Sequence, residues 1–449
     1  MIILRIRLSI LYFLQFAVWG CYLTCLGQLL GAAGLGSSIA WFYAAIGLVS
    51  LLTPAFIGHI ADRICRPHKI LRLCHGGAAL VMLIAWAYSF THPVMEFGIF
   101  FPLYFLFLAL YLPTMALANT TAFGILKSRG MQPVDAFPAI RVWGTVGFVA
   151  AMWFVNSAYW ADGHFGFTLS DHHSFSRFRF QYTSMQLLAA SLFGFLTALY
   201  TLCLPTAGSP SSPETPTSAR PGLLNSGAIH YFFRRPYLRM FLIFIALSGV
   251  CLQISNGFAT PFITHFTGLE EYAGSLAAGN ATMLFSLSQI AEALCILLVG
   301  VSLKRFGIRV VITLGLSAWG LRFLLFALGN TGDGLWLLIL SMLVYGVAFN
   351  FLTIAGHLYM EQESPRTEKG LGQGVMMLMS NGVGATLGIL IAGRVINHWC
   401  SWQVVTTPAG PVRLFMGDWL WPWLVFALYA FCLAAVFFFV FRPSAKFVN

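Results

Sequence analysis

Of the 449 residues, 59% are hydrophobic and only 9% charged, where a soluble domain carries roughly 25% charged residues. That composition excludes a water-soluble fold and makes lipid the solvent. The net charge of +11 does not indicate nucleic acid, because the cations are sorted by position along the chain rather than massed on one surface.

Twelve apolar runs follow one another, at 8–31, 38–60, 70–90, 97–122, 138–160, 184–204, 237–260, 273–301, 308–328, 334–359, 370–396 and 418–441. Each is near the ~20 residues that a spanning helix needs. Only helices and closed barrels satisfy every backbone group in lipid. Stretches such as "FLIFIALSGVCL" lack the alternation of barrel strands. The expected fold is therefore an all-α integral membrane protein of twelve transmembrane helices.

The first run follows Arg5 and Arg7 and is too long for a signal core, with no A-x-A site after it, so it reads as an uncleaved helix. It carries Gln15 and Trp19 on one face. Runs two and three are joined by "GHIADRICRPHKIL" (58–71), a glycine closing an apolar helix and then a short basic turn. The fifth run carries Arg141, Thr145 and Phe148 in "AIRVWGTVGF". The loop 160–183 is long; its His164, Asp171, His172 and His173 match no compact metal site. Residues 205–236, with "PTAGSPSSPETPTSARPG", read as a flexible linker. The linker separates an N-terminal six-helix bundle (1–204) from a C-terminal one (237–449).

In the second half, run seven places Gln253 and Asn256 three apart, and run eight does the same with Gln289 and Glu292. Such pairs share a helix face. "GVSLKRFGIRVVI" (300–312) then echoes the turn at 58–71. Run nine holds Arg322, run ten Tyr345, Phe349 and Asn350, and run eleven Arg394. Arg322 and Arg394 lie toward outer helix ends and read as anchors. Gly-rich "GVGATLG" (382–388) would let helices slide closely.

Nineteen of the 25 Lys and Arg fall at one set of helix ends. Positive loops face the cytoplasm, which places both termini inside. The nine cysteines show neither a disulfide framework nor a zinc-like pair.

Of fourteen Asp and Glu, only Glu292 lies deep within an apolar run. Intramembrane ionisable groups are costly and mark function or a partner. The amides and the guanidinium offer donors and acceptors to a neutral, hydroxylated solute. Phe148, Tyr345 and Phe349 offer faces for a flat ring. Together they suit a sugar bearing an aromatic base, although a plain sugar also stacks on aromatic rings. Interhelical glue is the plainer reading of Gln253, Asn256 and Gln289, packing that of the three aromatics, snorkelling that of Arg141, and a static paired carboxylate that of Glu292.

The stretch Gly58-x-x-Ala61-Asp62-Arg63-x-x-Arg66 resembles the loop 2–3 signature of the major facilitator superfamily. Further, "SILYFLQFAVWGCYLTCLG", "DAFPAIRVWGTVGF", "LQISNGF", "SLSQIAEALCIL" and "SMLVYGVAFNF" resemble the bacterial nucleoside:proton symporter family, in the same order along the chain. The resemblance implies a major facilitator fold. It also implies a nucleoside pocket containing Arg141, Thr145, Phe148, Gln253, Asn256, Gln289, Glu292, Tyr345 and Phe349. Asn350 stands where that family typically has Asp. Asn cannot titrate, which shifts any proton role toward Glu292.

The expectation is a secondary active transporter of the bacterial inner membrane. It would import nucleosides by proton symport through alternating access, as one chain, without cofactor, metal or nucleic acid. Glu292 would handle the proton; Arg141, Thr145, Phe148, Gln253, Asn256, Gln289, Tyr345, Phe349 and Asn350 would hold the solute. The competing reading is a proton-coupled carrier of sugars, oligosaccharides or another small polar solute on the same scaffold. A drug exporter fits the amides poorly, and a non-transporting nutrient sensor is a further alternative. No nucleophile–base pairing, H-E-x-x-H or phosphate loop suggests an enzyme.

Overall fold

A computed structural model describes residues 2–61, 67–170, 175–205, 232–272, 274–364, 369–407 and 410–442. In chain order the helices are α1 (Ile2–Tyr22), α2 (Leu26–Ala32), α3 (Ile39–Ala61), α4 (Pro67–Thr91), α5 (Phe97–Ser128), α6 (Pro133–Ser157) and α7 (Met185–Tyr200). After the linker come α8 (Pro236–His265), α9 (Ala281–Leu328), α10 (Leu335–Glu363), α11 (Lys369–Met377), α12 (Ala385–Trp399) and α13 (Leu420–Val440). Among the described residues ten helices are long and apolar enough to cross a membrane.

Two boundaries differ from a plain reading of the apolar runs. The first run is broken at Leu23–Cys25, so that α1 and α2 are separate. The 48 residues of α9 are interrupted at Gly307, whose φ of 72° and ψ of 168° leave the helical region. Only glycine takes such a conformation without strain. Between α11 and α12, Leu378–Gly384 winds as a π-helix, a form that is rare and concentrated at functional sites.

The all-α expectation needs one correction. Two antiparallel hairpins stand beyond the helix ends: β1 (Ala158–Ala161) with β2 (His164–Phe167), and β3 (Cys400–Thr407) with β4 (Gly410–Gly417). Open strand edges are excluded only from the hydrocarbon, and outside it water satisfies them. The first hairpin turns at Asp162 (φ 50°) and Gly163 (φ 76°), an Asp-Gly pair suited to a tight two-residue turn.

Close helix contacts rest on missing side chains. A Cβ on Gly147 would stand 2.1 Å from the Phe13 carbonyl oxygen, and one on Gly20 2.3 Å from that of Phe148. Thus α6 and α1 pack backbone to backbone, as small residues permit in membranes. The π-helical segment does the same on α8, where a Cβ at Gly384 would meet the Ala246 carbonyl oxygen at 1.7 Å.

Hydrogen bonds between helices before and after the linker gather toward the end that carries the hairpins. Gln28 donates to Thr264 and Thr260 to the Thr24 carbonyl. Asn156 donates to Asn280 at 2.6 Å, and buried Arg179 donates to the same oxygen at 3.0 Å. Gln181 reaches the Gly279 carbonyl at 3.0 Å. On this face the Trp402 indole of β3 sits against Gly31 and Gly36, where added Cβ atoms would lie 2.0 Å from its ring.

Of the predicted loop motif, Gly58 lies within α3, whereas Asp62, Arg63 and Arg66 fall outside the described residues. Linker residues 206–231 also lie outside them.

Replacing Gly147 by Leu is expected to lower the stability of the detergent-solubilised protein by about 1–3 kcal/mol, the usual cost of overpacking. Thermal melts of the two proteins read this directly; an unchanged melting temperature would contradict the backbone contact with α1.

Candidate substrate and proton site

Four helices carry the predicted polar faces. On α9, Gln289 and Glu292 are both half-buried and project from the same side. Glu292 interacts electrostatically with Arg141 of α6, so a carboxylate from after the linker faces a guanidinium from before it. Arg141 is itself half-buried and lies 4.0 Å from the centre of the Phe16 ring on α1. Tyr12, one helical turn earlier, is a further electrostatic neighbour of Arg141 and donates to Asn119 at 2.5 Å. A cation held against an aromatic face keeps its orientation without losing its charge.

The aromatic wall comes from α10. Tyr345 and Phe349 stack with ring centres 5.7 Å apart and planes 12° from parallel. Tyr345 is 3% exposed, while Phe349 is half-buried. The Tyr345 hydroxyl lies close to the Gln289 side chain, and its electrostatic neighbours include both Glu292 and Arg322. Arg141, Glu292, Gln289, Tyr345 and Phe349 therefore form one connected set.

The remaining predicted residues sit in different ways. Asn350 is buried and its amide donates to the Glu292 backbone carbonyl at 2.7 Å, so it joins α10 to α9 beneath the carboxylate. Gln253 of α8 is buried with its side-chain oxygen unpartnered, whereas Asn256 is half-buried. Thr145 is half-buried one turn beyond Arg141, and Phe148 is buried where α6 meets α1. Gln15 turns away toward α5: its amide donates to Met115 Sδ at 3.1 Å and to Thr114 at 3.5 Å.

Sequence reasoning missed two members of this neighbourhood. Phe16 lies between Tyr12 and Trp19 at helical spacing, a pattern that could have marked the partner of Arg141. Arg322 is not an outer anchor, for it is fully buried, and its nitrogens donate to Ser255, Ser288 and the Ser341 carbonyl. The six residues of helix beyond it, as far as Leu328, are too many for the guanidinium to snorkel past when polar neighbours lie closer. Arg394 is exposed.

Chemically, the arrangement offers a carboxylic acid that can carry a proton, a guanidinium that can answer the carboxylate, amide donors and acceptors, and a stacked aromatic pair. Among the described residues no group of His, Cys, Asp and Glu could hold a metal ion.

The nucleoside H+ symporter family model matches residues 2–446. Xanthosine permease from Escherichia coli K12 is 35% identical over 98% of this chain and 96% of that protein. Nucleoside permease NupG of the same organism is 33% identical over the same shares. A crystal structure of the nucleoside transporter NupG aligns with a TM-score of 0.81 at 32% identity, covering 98% of this chain and 100% of that one. An inward-facing bacterial homologue of the human lysosomal transporter Spinster, at 15% identity and a TM-score of 0.66, shares the fold. With a family model spanning nearly the whole chain and permeases above 30% identity, this protein belongs to the nucleoside H+ symporter family.

Proposed function

We propose that nucleoside and proton meet in the cavity between α1, α6, α8, α9 and α10, and that Glu292 carries the proton. The protein is a multi-pass transporter of the bacterial inner membrane rather than an enzyme. The observation that carries the finer reading is that Glu292, on a helix after the linker, lies near enough to Arg141, on a helix before it, to interact electrostatically. Such a pair can be made and broken when the two parts rock about a midplane site.

Burying an ion costs far more than burying its neutral acid. A loaded carrier therefore passes most easily through the occluded state with Glu292 protonated. Opening toward the cytoplasm hydrates the carboxyl, and the released proton leaves Glu292 free to engage Arg141 again. Arg141, Gln253, Asn256 and Gln289 hydrogen-bond the sugar and base, and Tyr345 with Phe349 stacks on the base; Thr145 and Phe148 complete the wall. Asn350, without a titratable group, supports the Glu292 backbone and leaves proton transfer to that carboxyl.

The architecture we infer has twelve crossings in two six-helix bundles, 1–204 and 237–449, joined by the cytoplasmic linker 205–236. The interruption of α9 at Gly307 supports counting it as two crossings, and the 23-residue α3 supplies another. The basic residues at one set of ends support cytoplasmic termini. The protein acts as a single chain.

One charge moving through 100 mV gains about 2.3 kcal/mol, enough to accumulate a neutral solute roughly 40-fold. A nucleoside-sized cargo with one proton needs no other energy source.

In sealed vesicles, acidifying the outside should raise uptake by the native protein. Glu292→Gln should keep exchange of labelled for unlabelled nucleoside and lose uphill accumulation; net concentration by this variant would rule out the proton role. Arg141→Ala should lower nucleoside affinity about tenfold or more, the scale of losing a charge-assisted hydrogen bond, as read by equilibrium binding. For topology, a green fluorescent protein fused to the C-terminus should glow and an alkaline phosphatase fused there should be inactive; the reverse pattern would overturn the cytoplasmic placement.

A further inference from the structure

Arg322 is a charged side chain with 0% exposure. It lies in the part of α9 beyond Gly307, and its fork reaches three other stretches of helix. Nε and Nη2 donate to Ser255 Oγ of α8 at 3.2 and 3.0 Å. Nη1 donates to Ser288 Oγ in the first part of α9 at 3.2 Å, and to the Ser341 carbonyl of α10 at 2.7 Å. The Ser341 hydroxyl in turn donates to the Arg322 carbonyl at 3.2 Å. The guanidinium also lies 4.8 Å from the Tyr345 ring centre and 4.9 Å from that of Phe326.

These partners are the neighbours of the substrate stripe. Ser255 precedes Asn256, Ser288 precedes Gln289, and Tyr345 is itself in the stripe. Successive residues on a helix point about 100° apart. A helix whose serine is fixed on the guanidinium therefore has the rotation of its next residue fixed as well. The acceptors are neutral hydroxyls and a carbonyl, so the interaction serves geometry rather than charge cancellation. The planar five-donor fork matters here, since an ammonium group cannot span three such acceptors.

We propose that Arg322 is a positioning residue of the nucleoside site, setting the rotation of α8, α9 and α10 so that Asn256, Gln289 and Tyr345 converge on one ligand. It touches no substrate. The inference rests on the reading that those three residues bind nucleoside, and it adds a determinant of affinity that lies behind the cavity wall.

The test uses the purified full-length protein and whichever of uridine, adenosine or xanthosine the native protein binds. Arg322→Lys is expected to raise Kd and the transport KM about tenfold, while the maximal rate per folded molecule stays within about twofold, the signature of lost uniform binding. Ser255→Ala and Ser288→Ala should each raise KM a few-fold, and Ser288→Ala should add little on top of Arg322→Lys, as coupled neighbours do. The exposed Arg394→Lys should leave every value unchanged. A merely structural arginine would reduce the amount of folded protein and leave KM where it was; that result overturns the proposal. Should Arg322→Lys not fold, native KM values in both serine variants overturn it equally. Gln289→Ala separates the two levels of inference. Native binding by Gln289→Ala removes the site reading itself, whereas weak binding there combined with a native KM for Arg322→Lys removes only the positioning role.

Discussion

A charge among membrane helices persists only where neighbouring groups answer it. This constraint accounts for the arrangement around Arg141 and Arg322. Arg141 is answered by the face of Phe16 and by its electrostatic interaction with Glu292. Arg322 is answered by two hydroxyls, a carbonyl and aromatic faces. The difference between them is chemical. The first interacts with a carboxyl, and under the proposed mechanism that group loses its charge by taking one proton, so the interaction can be switched. The second is held by groups that keep the same character throughout, so its geometry is constant. A symporter needs both kinds: a contact that changes and a frame that does not.

The membrane crossings were legible in the sequence because lipid demands long apolar runs, and those runs reappear as helices with shifted ends. Where a helix outlasts its run, the cause is common. A helix satisfies its own backbone, so α5 and α10 continue past the apolar stretch into polar residues as far as Ser128 and Glu363. The pairs Gln253 with Asn256 and Gln289 with Glu292 could be found because three-residue spacing marks one face. Their partners could not, since the bond from Asn350 to the Glu292 carbonyl and the contact of Arg141 with Phe16 join residues far apart in the chain. Arg322 was misjudged for a related reason: its distance from a helix end was visible, and the three helices surrounding it were not. The Asp162–Gly163 turn was present in the sequence as a hairpin signal, yet the strands it joins have only four residues each, too few to display alternation.

Glycine and serine divide the packing work. Where α6 meets α1 and where the π-helical segment meets α8, absent side chains bring backbones together. Where α8, α9 and α10 meet, the hydroxyls of Ser255 and Ser288 and the carbonyl of Ser341 receive the guanidinium. The two devices suit different demands, one giving close surfaces and the other a fixed angular register.

The indole of Trp402 gives the end that carries the hairpins an energetic scale. It is half-buried and seated in the notch left by Gly31 and Gly36, with the Phe415 ring stacked 5.0 Å away. Lifting it out would wet roughly 100 Å² of aromatic surface, a penalty of about 2.5 kcal/mol. A proton falling through 100 mV releases about 2.3 kcal/mol. Lifting this indole out of its notch would therefore cost about as much as one charge releases in crossing 100 mV.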